Sequence, residues 1–416
     1  MKKKLIVAVI MVIASAAMSS ATEFTLSDCV ETALKNHPDL AASSARIESA
    51  TATIGQAKAG THTQMDLSGS YTRGGSITGE AGSYGNYNTG FSLSQLLTDS
   101  GKSNLRIKKA QQNTAAAKDD LAEKRNDIIC NVSDAYYSVN LASRECHVAQ
   151  RRYDNYKKRL KWAEAYYKAG KKPKIEVTRA EADFASAKLT LITAKTAAQV
   201  AKAELASSMG DAKMTVPTLK DELDYEDWTI TEDEAIQLAL TNRPELLSKT
   251  KRIDAAKTEI GIQQKGMSPE ISLGGGYSLS GSSFFEDRDW NARIMVSLPI
   301  LDGGATNSRV AQAKADLKAS EAERQSLENN VVLEVRTAWQ NMVKAKESIV
   351  SAMEAERKEK ANYELAEKRY QAGVGNSLEI SDAVDSYALA ETTTIRALYN
   401  AKNSQIVLFK AIGGRK

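Results

Sequence analysis

Hydrophobic residues in each half of the chain recur at alternating steps of three and four, the heptad spacing of coiled-coil helices. The first series contains Ile128, Val132, Ala135, Val139, Ala142, Cys146, Ala149, Tyr153, Tyr156, Leu160, Ala163 and Tyr167. The second contains Val331, Val335, Ala338, Met342, Ala345, Ile349, Ala352, Tyr363, Ala366 and Tyr370, with Glu356 and Glu359 as polar interruptions. Each series predicts one long helix.

A turn that contains Gly170 or Gly373 follows each long helix, and the heptad spacing then resumes at Val177 and Ile380. The sequence therefore predicts helical hairpins at about 103–209 and about 306–412. At ~1.5 Å per residue, the first arm would be about 100 Å long. Its narrow stripe of Ala and Tyr suits contact with neighbouring helices along a line rather than around a wide core.

Segments with a period of two precede each hairpin. Apolar residues alternate with Ser and Gly at 271–280, a partner alternates at 291–301, and weaker pairs occupy 65–73 and 87–97. Segments of roughly 9 to 11 residues have the length of a tilted transmembrane β-strand. Four strands cannot close a barrel in lipid, so further copies are required, and the strand count alone allows either two or three.

These elements recur because the chain is internally duplicated. ALKNHPDL at Ala33 to Leu40 returns as ALTNRPEL at Ala239 to Leu246, a shift of 206 positions that becomes 203 farther along. The predicted segments are a signal peptide at 1–21, a first repeat at 22–216, a linker at 217–229 and a second repeat at 230–416.

The first residues direct the chain out of the cytoplasm. Lys2, Lys3 and Lys4 precede an apolar run and small residues that end at Ala21, the order of a secretory signal peptide. Cys29 lies well past this segment, so a lipid-attached N-terminus is not expected. No later segment approaches the ~18 apolar residues of a membrane helix, so any membrane insertion must use β-strands.

Composition excludes several classes of protein. With 42% hydrophobic and 6% aromatic residues, 416 residues offer little for two globular cores, which favours an extended or oligomeric form. The net charge of +4 arises mainly from the signal peptide, and no basic groove interleaved with aromatic residues indicates nucleic acid. Cys130 and Cys146 fall on one predicted helix about 24 Å apart, too far for a disulfide.

Candidate catalytic chemistry is sparse. The three histidines, His37, His62 and His147, lack metal-ligand spacing. The run of glycines at 274–276 lies inside a predicted strand and does not form a phosphate loop. No nucleophile, metal or cofactor site is predicted, so we expect no enzyme activity.

The ALKNHPDL-type repeat, VSLPILDGG at Val296 to Gly304 and the YxAG turns resemble the outer membrane efflux protein family of TolC-like channels, over about Thr25 to Gly414. The resemblance implies an α+β membrane protein that forms a homotrimer. A twelve-stranded barrel in outer-membrane lipid would continue as a long periplasmic barrel of coiled-coil hairpins. The implied function is a passive exit duct of tripartite efflux or type I secretion. A periplasmic adaptor (membrane fusion) protein and an RND, MFS or ABC pump of the inner membrane would be its partners.

The same resemblance assigns candidate residues at the periplasmic end. Glu379 and Asp382 would form an acidic constriction, although their spacing alone fits a solvated helix face. Glu176 and Tyr370 align with residues that hold the channel closed. The family's arginine in the second turn is replaced by Gly375, so the closed lock would be looser here or would use Lys171, Lys172 or Lys174 instead. The same three lysines are candidates for docking the adaptor.

Two other functions remain open at this point. A periplasmic coiled-coil adaptor or structural protein would have similar hairpins but no lipid-facing strands, and the alternation at 271–280 argues against it. An enzyme is a weaker alternative, because the sequence contains no recognisable nucleophile, set of metal ligands or cofactor loop.

Overall fold

The computed structural model describes residues 23–75, 84–225, 227–283 and 286–414, so the predicted signal peptide lies outside the described residues. The first half contains α1 (Leu26–Asn36), α2 (Pro38–Ala59), β1 (Gln64–Gly74), β2 (Tyr84–Thr98), α3 (Lys102–Lys168) and α4 (Lys174–Ser208). The second contains α5 (Glu232–Asn242), α6 (Pro244–Gln264), a 3-10 turn (Lys265–Met267), β3 (Glu270–Gly281), β4 (Asp287–Ser297), α7 (Ala305–Gln371) and α8 (Ser377–Ala411).

The duplicated plan of two strands followed by a helical hairpin is confirmed. Helices α3 and α7 each contain 67 residues, while α4 and α8 each contain 35. A glycine with positive φ ends each long helix, 68° at Gly170 and 77° at Gly373. In the first turn the N–H of Lys171 donates to the carbonyl of Tyr166 at 2.8 Å, and the second turn repeats this bond. These Schellman turns satisfy carbonyl groups at the helix ends and reverse the chain.

Two helices precede the strands in each half, where the sequence patterns predict no element. Pro38 and Pro244 are the first residues of α2 and α6, a position where the missing N–H of proline costs no helical hydrogen bond. At α5, Thr231 and Glu234 exchange hydrogen bonds in a capping box. The repeat explains why both halves break at the same Asn-x-Pro position.

The four strands form one antiparallel sheet in the order β1-β2-β3-β4. Successive side chains of a strand point to opposite faces, and the register aligns the apolar positions on one face. That face carries Met65, Leu67, Tyr71, Tyr87, Phe91, Leu93, Ile271, Leu273, Tyr277, Trp290, Ile294 and Val296. The opposite face carries mostly Ser, Gly, Asn and Asp. The apolar face is exposed to a large extent, with 82% of Leu67 and 79% of Trp290 accessible.

The fourth strand differs from its prediction. The alternation at 291–301 extends through Ile300, but β4 ends at Ser297. In the first half, β2 continues past Ser94 because its last residues pair with β3. No described strand lies beyond β4 to pair with its continuation, and Pro299 lacks an N–H group.

Contacts divide the chain into two compact units, and each takes segments from both repeats. One unit (36–130, 225–351 and 400–416) has a core from α5, α6, α7 and α8. Its buried residues are Ala235, Ala239, Leu246, Val331, Val335, Ala338, Met342, Leu408, Ala411 and Ile412. The other unit (1–35, 131–224 and 352–399) has a core of Tyr156, Ala187, Tyr370, Ile380 and Val384.

The predicted linker at 217–229 begins as a packed segment. Backbone hydrogen bonds join Phe24 to Thr218 at 2.9 Å and Lys220 to Phe24 at 3.1 Å. The hydroxyl of Tyr136, which is fully buried on α3, donates to the carbonyl of Lys220 at 2.6 Å. This segment therefore covers α3, and it satisfies a buried tyrosine hydroxyl in doing so.

Candidate functional site

The turns of the two hairpins lie side by side and line one cavity of about 240 Å³. Its walls are Tyr166, Lys171 and Lys172 from the first hairpin and Tyr370, Gln371, Ala372, Gly373 and Gly375 from the second. The site is thus built from two turns of the same Schellman geometry.

Aromatic side chains form the packed floor beneath these turns. Tyr370 is 4% exposed, and its ring lies 6.2 Å from that of Trp162 and 6.3 Å from that of Tyr166. Burial raises the pKa of Tyr370, and the carboxylate of Glu176 acts in the same direction. No hydrogen bond between Tyr370 and Glu176 occurs in the described structure. Tyr370 therefore contributes mainly through packing within one chain.

A buried arginine connects the two hairpins. Arg159 of α3 is 4% exposed, and its Nη2 donates to the carbonyl of Ser377, the first residue of α8, at 3.1 Å. Its Nη1 lies 3.7 Å from Asp183 of α4, which accepts a hydrogen bond from Ser381 at 3.1 Å. The guanidinium lies 4.9 Å from the ring centre of Tyr156. Nε and Nη1 have no hydrogen-bond partner among the described residues, so this buried cation is incompletely satisfied.

A second polar link joins α3 and α8 farther from the turns. Asp385 accepts hydrogen bonds from Nε of Arg152 at 2.9 Å and from the hydroxyl of Tyr156 at 2.8 Å. Burial and the bond to Asp385 raise the pKa of Tyr156 to about 12, so its hydroxyl remains a donor at neutral pH. Arg151 forms a further ion pair with Glu391. Three arginines of α3 thus face α8.

The two candidate acidic residues have different surroundings. Nε of Arg369 lies 2.9 Å from Oε1 of Glu379, so an ion pair spans the second turn. The N–H of Glu379 also donates to Oδ1 of Asn376 at 2.7 Å, which caps α8. Asp382 is exposed and makes no ion pair within the described ranges. Of these two residues, only Asp382 has a carboxylate without a cationic partner among the described residues.

Similar proteins identify the family. The outer membrane efflux protein pattern matches residues 29–211 and 235–414. The chain is 23% identical over 403 residues to the probable outer membrane lipoprotein SilC of Salmonella typhimurium, covering 92% of this chain and 84% of SilC. It is 22% identical over 402 residues to the cation efflux system protein CusC of Escherichia coli K12, covering 92% and 85%. The crystal structure of the Campylobacter jejuni CmeC outer membrane channel has a TM-score of 0.80 at 20% identity, covering 94% and 85%.

The chain belongs to the outer membrane efflux protein family. The resemblance inferred from its motifs is confirmed, and the protein is an efflux channel of the cell outer membrane that extends into the periplasm. No helix in the described ranges is long and apolar enough to cross a membrane. No group of three potential metal-binding side chains occurs there either.

Cys29 is the cysteine on which the prediction about lipid attachment depends. SilC is named a lipoprotein, whereas Cys29 of this chain is fully buried in α1. The absence of lipid at Cys29 stays a prediction. Cys29, Cys130 and Cys146 are free.

The efflux channel's second turn shows why Gly375 suits its position. A Cβ added there would lie 3.0 Å from the backbone nitrogen of Tyr370 and 3.1 Å from the carbonyl carbon of Arg369. The N–H of Gly375 also donates to the carbonyl of Arg369 at 3.0 Å. The chain therefore passes too close to α7 for an arginine side chain without local movement.

Sequence reasoning missed the residues that connect the hairpins, which are Arg152, Arg159, Asp183, Arg369, Ser377 and Asp385. Arg159 follows Tyr156 by three positions and precedes Ala163 by four. This spacing places Arg159 beside the apolar stripe of the helix and could have indicated that it is buried. Lys171, Lys172 and Lys174 make no ion pair in the part of the chain that the structure describes. Their roles in locking or docking stay predictions.

Proposed function

We propose that three copies of the chain assemble into one exit duct, with their sheets sharing a twelve-stranded barrel in the outer membrane. The four-stranded sheet is the observation that supports this proposal. One face is apolar and exposed, the other is polar, and both outer edges lack a strand partner within the described chain. Unpaired backbone groups in lipid cost several kcal/mol each, so the edges need strands from other copies.

We further propose that the hairpin turns close the duct at its periplasmic end. The bonds of Arg159 to Ser377 and of Arg152 and Tyr156 to Asp385 hold α3 of the first hairpin against α8 of the second. Opening requires α8 to move relative to α3, and these contacts oppose that movement. Docking of a periplasmic adaptor, coupled to an inner-membrane pump, would supply the energy that breaks them.

We propose that Asp382 and Glu379 together form the constriction. Threefold symmetry would gather three copies of each residue, and an acidic ring favours cations. Because Arg369 neutralises Glu379 within each chain, Asp382 carries the larger share of the effect. The exposed Lys171 and Lys174, with Lys172 in the cavity wall, leave a basic surface beside the turns for an adaptor with acidic side chains.

Purified protein in detergent tests the assembly. Light scattering is expected to give the mass of three chains, and planar bilayers are expected to show discrete ion conductance. A water-soluble monomer without conductance would instead support a periplasmic coiled-coil protein. Conductance from a dimer would retain the duct but refute the barrel of three copies.

A further inference from the structure

Two opposite charges of the first hairpin lie close together without forming a complete ion pair. Arg159 of α3 is 4% exposed, and its Nε and Nη1 lack a hydrogen-bond partner among the described residues. Nη1 lies 3.7 Å from Oδ2 of Asp183 on α4, beyond the ~2.7–3.2 Å of an ordinary N–H···O hydrogen bond. A buried guanidinium with unused donors is unfavourable, and a bonded carboxylate would relieve this. The two side chains therefore stop just short of an arrangement that both favour.

Helix α8 of the second hairpin occupies both members of this incomplete pair. The carbonyl of Ser377 accepts a hydrogen bond from Nη2 of Arg159 at 3.1 Å. The hydroxyl of Ser381 donates to Oδ2 of Asp183 at 3.1 Å, the same oxygen that Nη1 approaches. Ser377 and Ser381 are four positions apart, so they lie on one face of α8 about one turn apart. One turn of α8 thus competes for the cation of α3 and for the anion of α4.

The first hairpin keeps the two charges close to each other by contacts of its own. Phe184, the residue after Asp183, has its ring 5.1 Å from the ring of Tyr153 on α3. The Schellman turn at Gly170 joins the same two helices. Neither contact involves α8, so a movement of α8 would leave Arg159 facing Asp183.

The second hairpin shows that coiled-coil packing does not require such a pair. At the repeat shift of 203 positions, Arg159 corresponds to Asn362 and Asp183 corresponds to Ser386. Neither counterpart is charged, although the second hairpin has helices of the same lengths as the first. The charges of the first hairpin therefore have a role other than the formation of a hairpin.

We infer that Arg159 and Asp183 complete their ion pair when α8 moves away from α3, so that Asp183 stabilises the open duct. The inference rests on the proposed function, in which the duct opens by this movement of α8. When Ser377 and Ser381 leave with α8, Oδ2 of Asp183 becomes free to accept a hydrogen bond from Nη1 of Arg159.

This exchange of partners lowers the free energy that opening requires. A buried charge that loses its partner is strongly destabilising, and Asp183 provides the replacement within the same hairpin. The new hydrogen bond offsets only part of what Arg159 loses, namely its bond to Ser377. Arg159 therefore favours the closed duct on balance, whereas Asp183 favours the open duct.

The variant Asp183→Asn distinguishes this role from a closing role. The amide oxygen of asparagine can still accept the hydrogen bond from Ser381, so the link to α8 is retained while the countercharge of Arg159 is lost. Opening is therefore expected to become less frequent. A residue that only held the duct closed would give the opposite result.

Asp385→Asn is the matched control, because it makes the same chemical change at a residue of α8. Asp385 accepts hydrogen bonds from Arg152 and Tyr156 of α3 and so holds α8 in place. Its replacement is expected to raise the fraction of time that the channel spends in its high-conductance state, measured by single-channel recording in planar bilayers. This raised fraction makes a decrease measurable when a second substitution is added.

The decisive comparison is the double variant Asp183→Asn/Asp385→Asn against Asp385→Asn alone. The double variant is expected to have an open fraction about tenfold lower, the effect of one hydrogen bond to a charged group. Asp183→Glu in the same background retains the charge and is expected to restore most of the open fraction. An open fraction in the double variant that equals or exceeds that of Asp385→Asn would overturn the inference, as would an equal decrease with Asp183→Glu.

The inference and the proposed function fail in different ways. If Asp385→Asn raises the open fraction and the double variant raises it further, Asp183 is a closing residue and the proposed duct is retained. If Asp385→Asn leaves the open fraction unchanged, the proposed closing contacts are refuted together with the inferred exchange. Heat resistance of the trimer is measured on the same samples, so that loss of assembly is not mistaken for closure.

Discussion

At the scale of single residues, Arg159 contacts both helical hairpins through Ser377, Asp183 and Tyr156. It is 4% exposed and bonds to Ser377 of α8. A hydrogen bond that involves a charged group contributes about 1.5–3 kcal/mol, and its loss at this position would leave the carbonyl and Asp183 without their buried partner. The contact therefore holds the start of α8 against α3.

We predict that Arg159→Met destabilises the closed duct and raises basal conductance. The substitution preserves most of the side-chain volume, so the packing around Tyr156 is retained while the charge is lost. Single-channel recording in planar bilayers measures the closed-state conductance directly. Lys161→Met is the control, because Lys161 is exposed on the same helix. Basal conductance equal to that of the control would remove Arg159 from the closing contacts.

The ion pair of Arg369 and Glu379 leads to a second prediction at this scale. Arg369→Ala removes the cation 2.9 Å from Glu379, so cation selectivity is expected to increase. A partly exposed pair is worth ~0.2–1 kcal/mol, which corresponds to a change of roughly one and a half- to fivefold. Reversal potentials under a salt gradient measure the ratio of cation to anion permeability.

The acidic residues provide the matched comparison for that experiment. Glu379→Ala and Asp382→Ala are both expected to lower cation selectivity, and Asp382→Ala is expected to lower it more because no described cationic side chain pairs with Asp382. If selectivity is the same in both variants and in the unmodified channel, the acidic ring lies away from the ion path.

At the scale of elements, both long helices begin with the same aspartate cap. Asp99 accepts hydrogen bonds from the N–H of Ser103 at 2.7 Å and from its hydroxyl at 2.6 Å. Asp302 accepts from the N–H of Thr306 at 2.7 Å. The caps satisfy N–H groups of the first helical turn that have no partner within the helix.

These caps predict a dependence on pH at the start of α7. The hydrogen bonds from Thr306 lower the pKa of Asp302 below its ordinary value. A lowered pKa means that the carboxylate stabilises the helix start fully above the ordinary aspartate pKa of 3.8, and that this contribution is lost as the pH falls through the lower folded-state pKa. Hydrogen exchange of the first turn of α7, corrected for intrinsic rates, is therefore expected to accelerate on acidification.

Asp302→Asn is the control for that effect. Its amide oxygen still accepts a hydrogen bond but does not titrate in this range, so the first turn of α7 should exchange at a rate that depends less on pH. The same acceleration in Asp302→Asn would assign the acid sensitivity to other carboxylates.

At the scale of the whole molecule, the sheet determines which surface meets lipid. Ile294 lies on the apolar face and is 70% exposed, whereas Asn291 lies on the polar face of the same strand. A lysine on the lipid-facing side of a barrel costs about 2–4 kcal/mol near the bilayer midplane, while interior positions tolerate charge.

We therefore predict that Ile294→Lys reduces the amount of heat-resistant trimer in the outer-membrane fraction, and that Asn291→Lys leaves it nearly unchanged. Quantitative immunoblotting of unheated and heated membranes measures both. Equal loss in the two variants would show that this sheet does not separate lipid from an aqueous interior.

The sequence by itself determined the long hairpin helices and located the four strands of this protein, but it did not predict the helices that precede the strands. Periodicity specified α3, α4, α7 and α8, because a helix that buries one stripe must repeat its apolar residues at that spacing. Alternation specified the four strands, and the repeated motifs identified the family. Gly170 and Gly373 located the turns, since both adopt a positive φ that other residues rarely tolerate.

Only the tertiary structure decided which distant side chains meet. Arg159 and Ser377 are 218 positions apart, and no periodicity relates them. The pairing of Arg369 with Glu379 and the close approach at Gly375 depend on how the turn folds back. The end of β4 at Ser297 depends on which strand lies beside it. Local patterns report the burial that each element requires, whereas long-range pairing depends on which elements the fold places side by side.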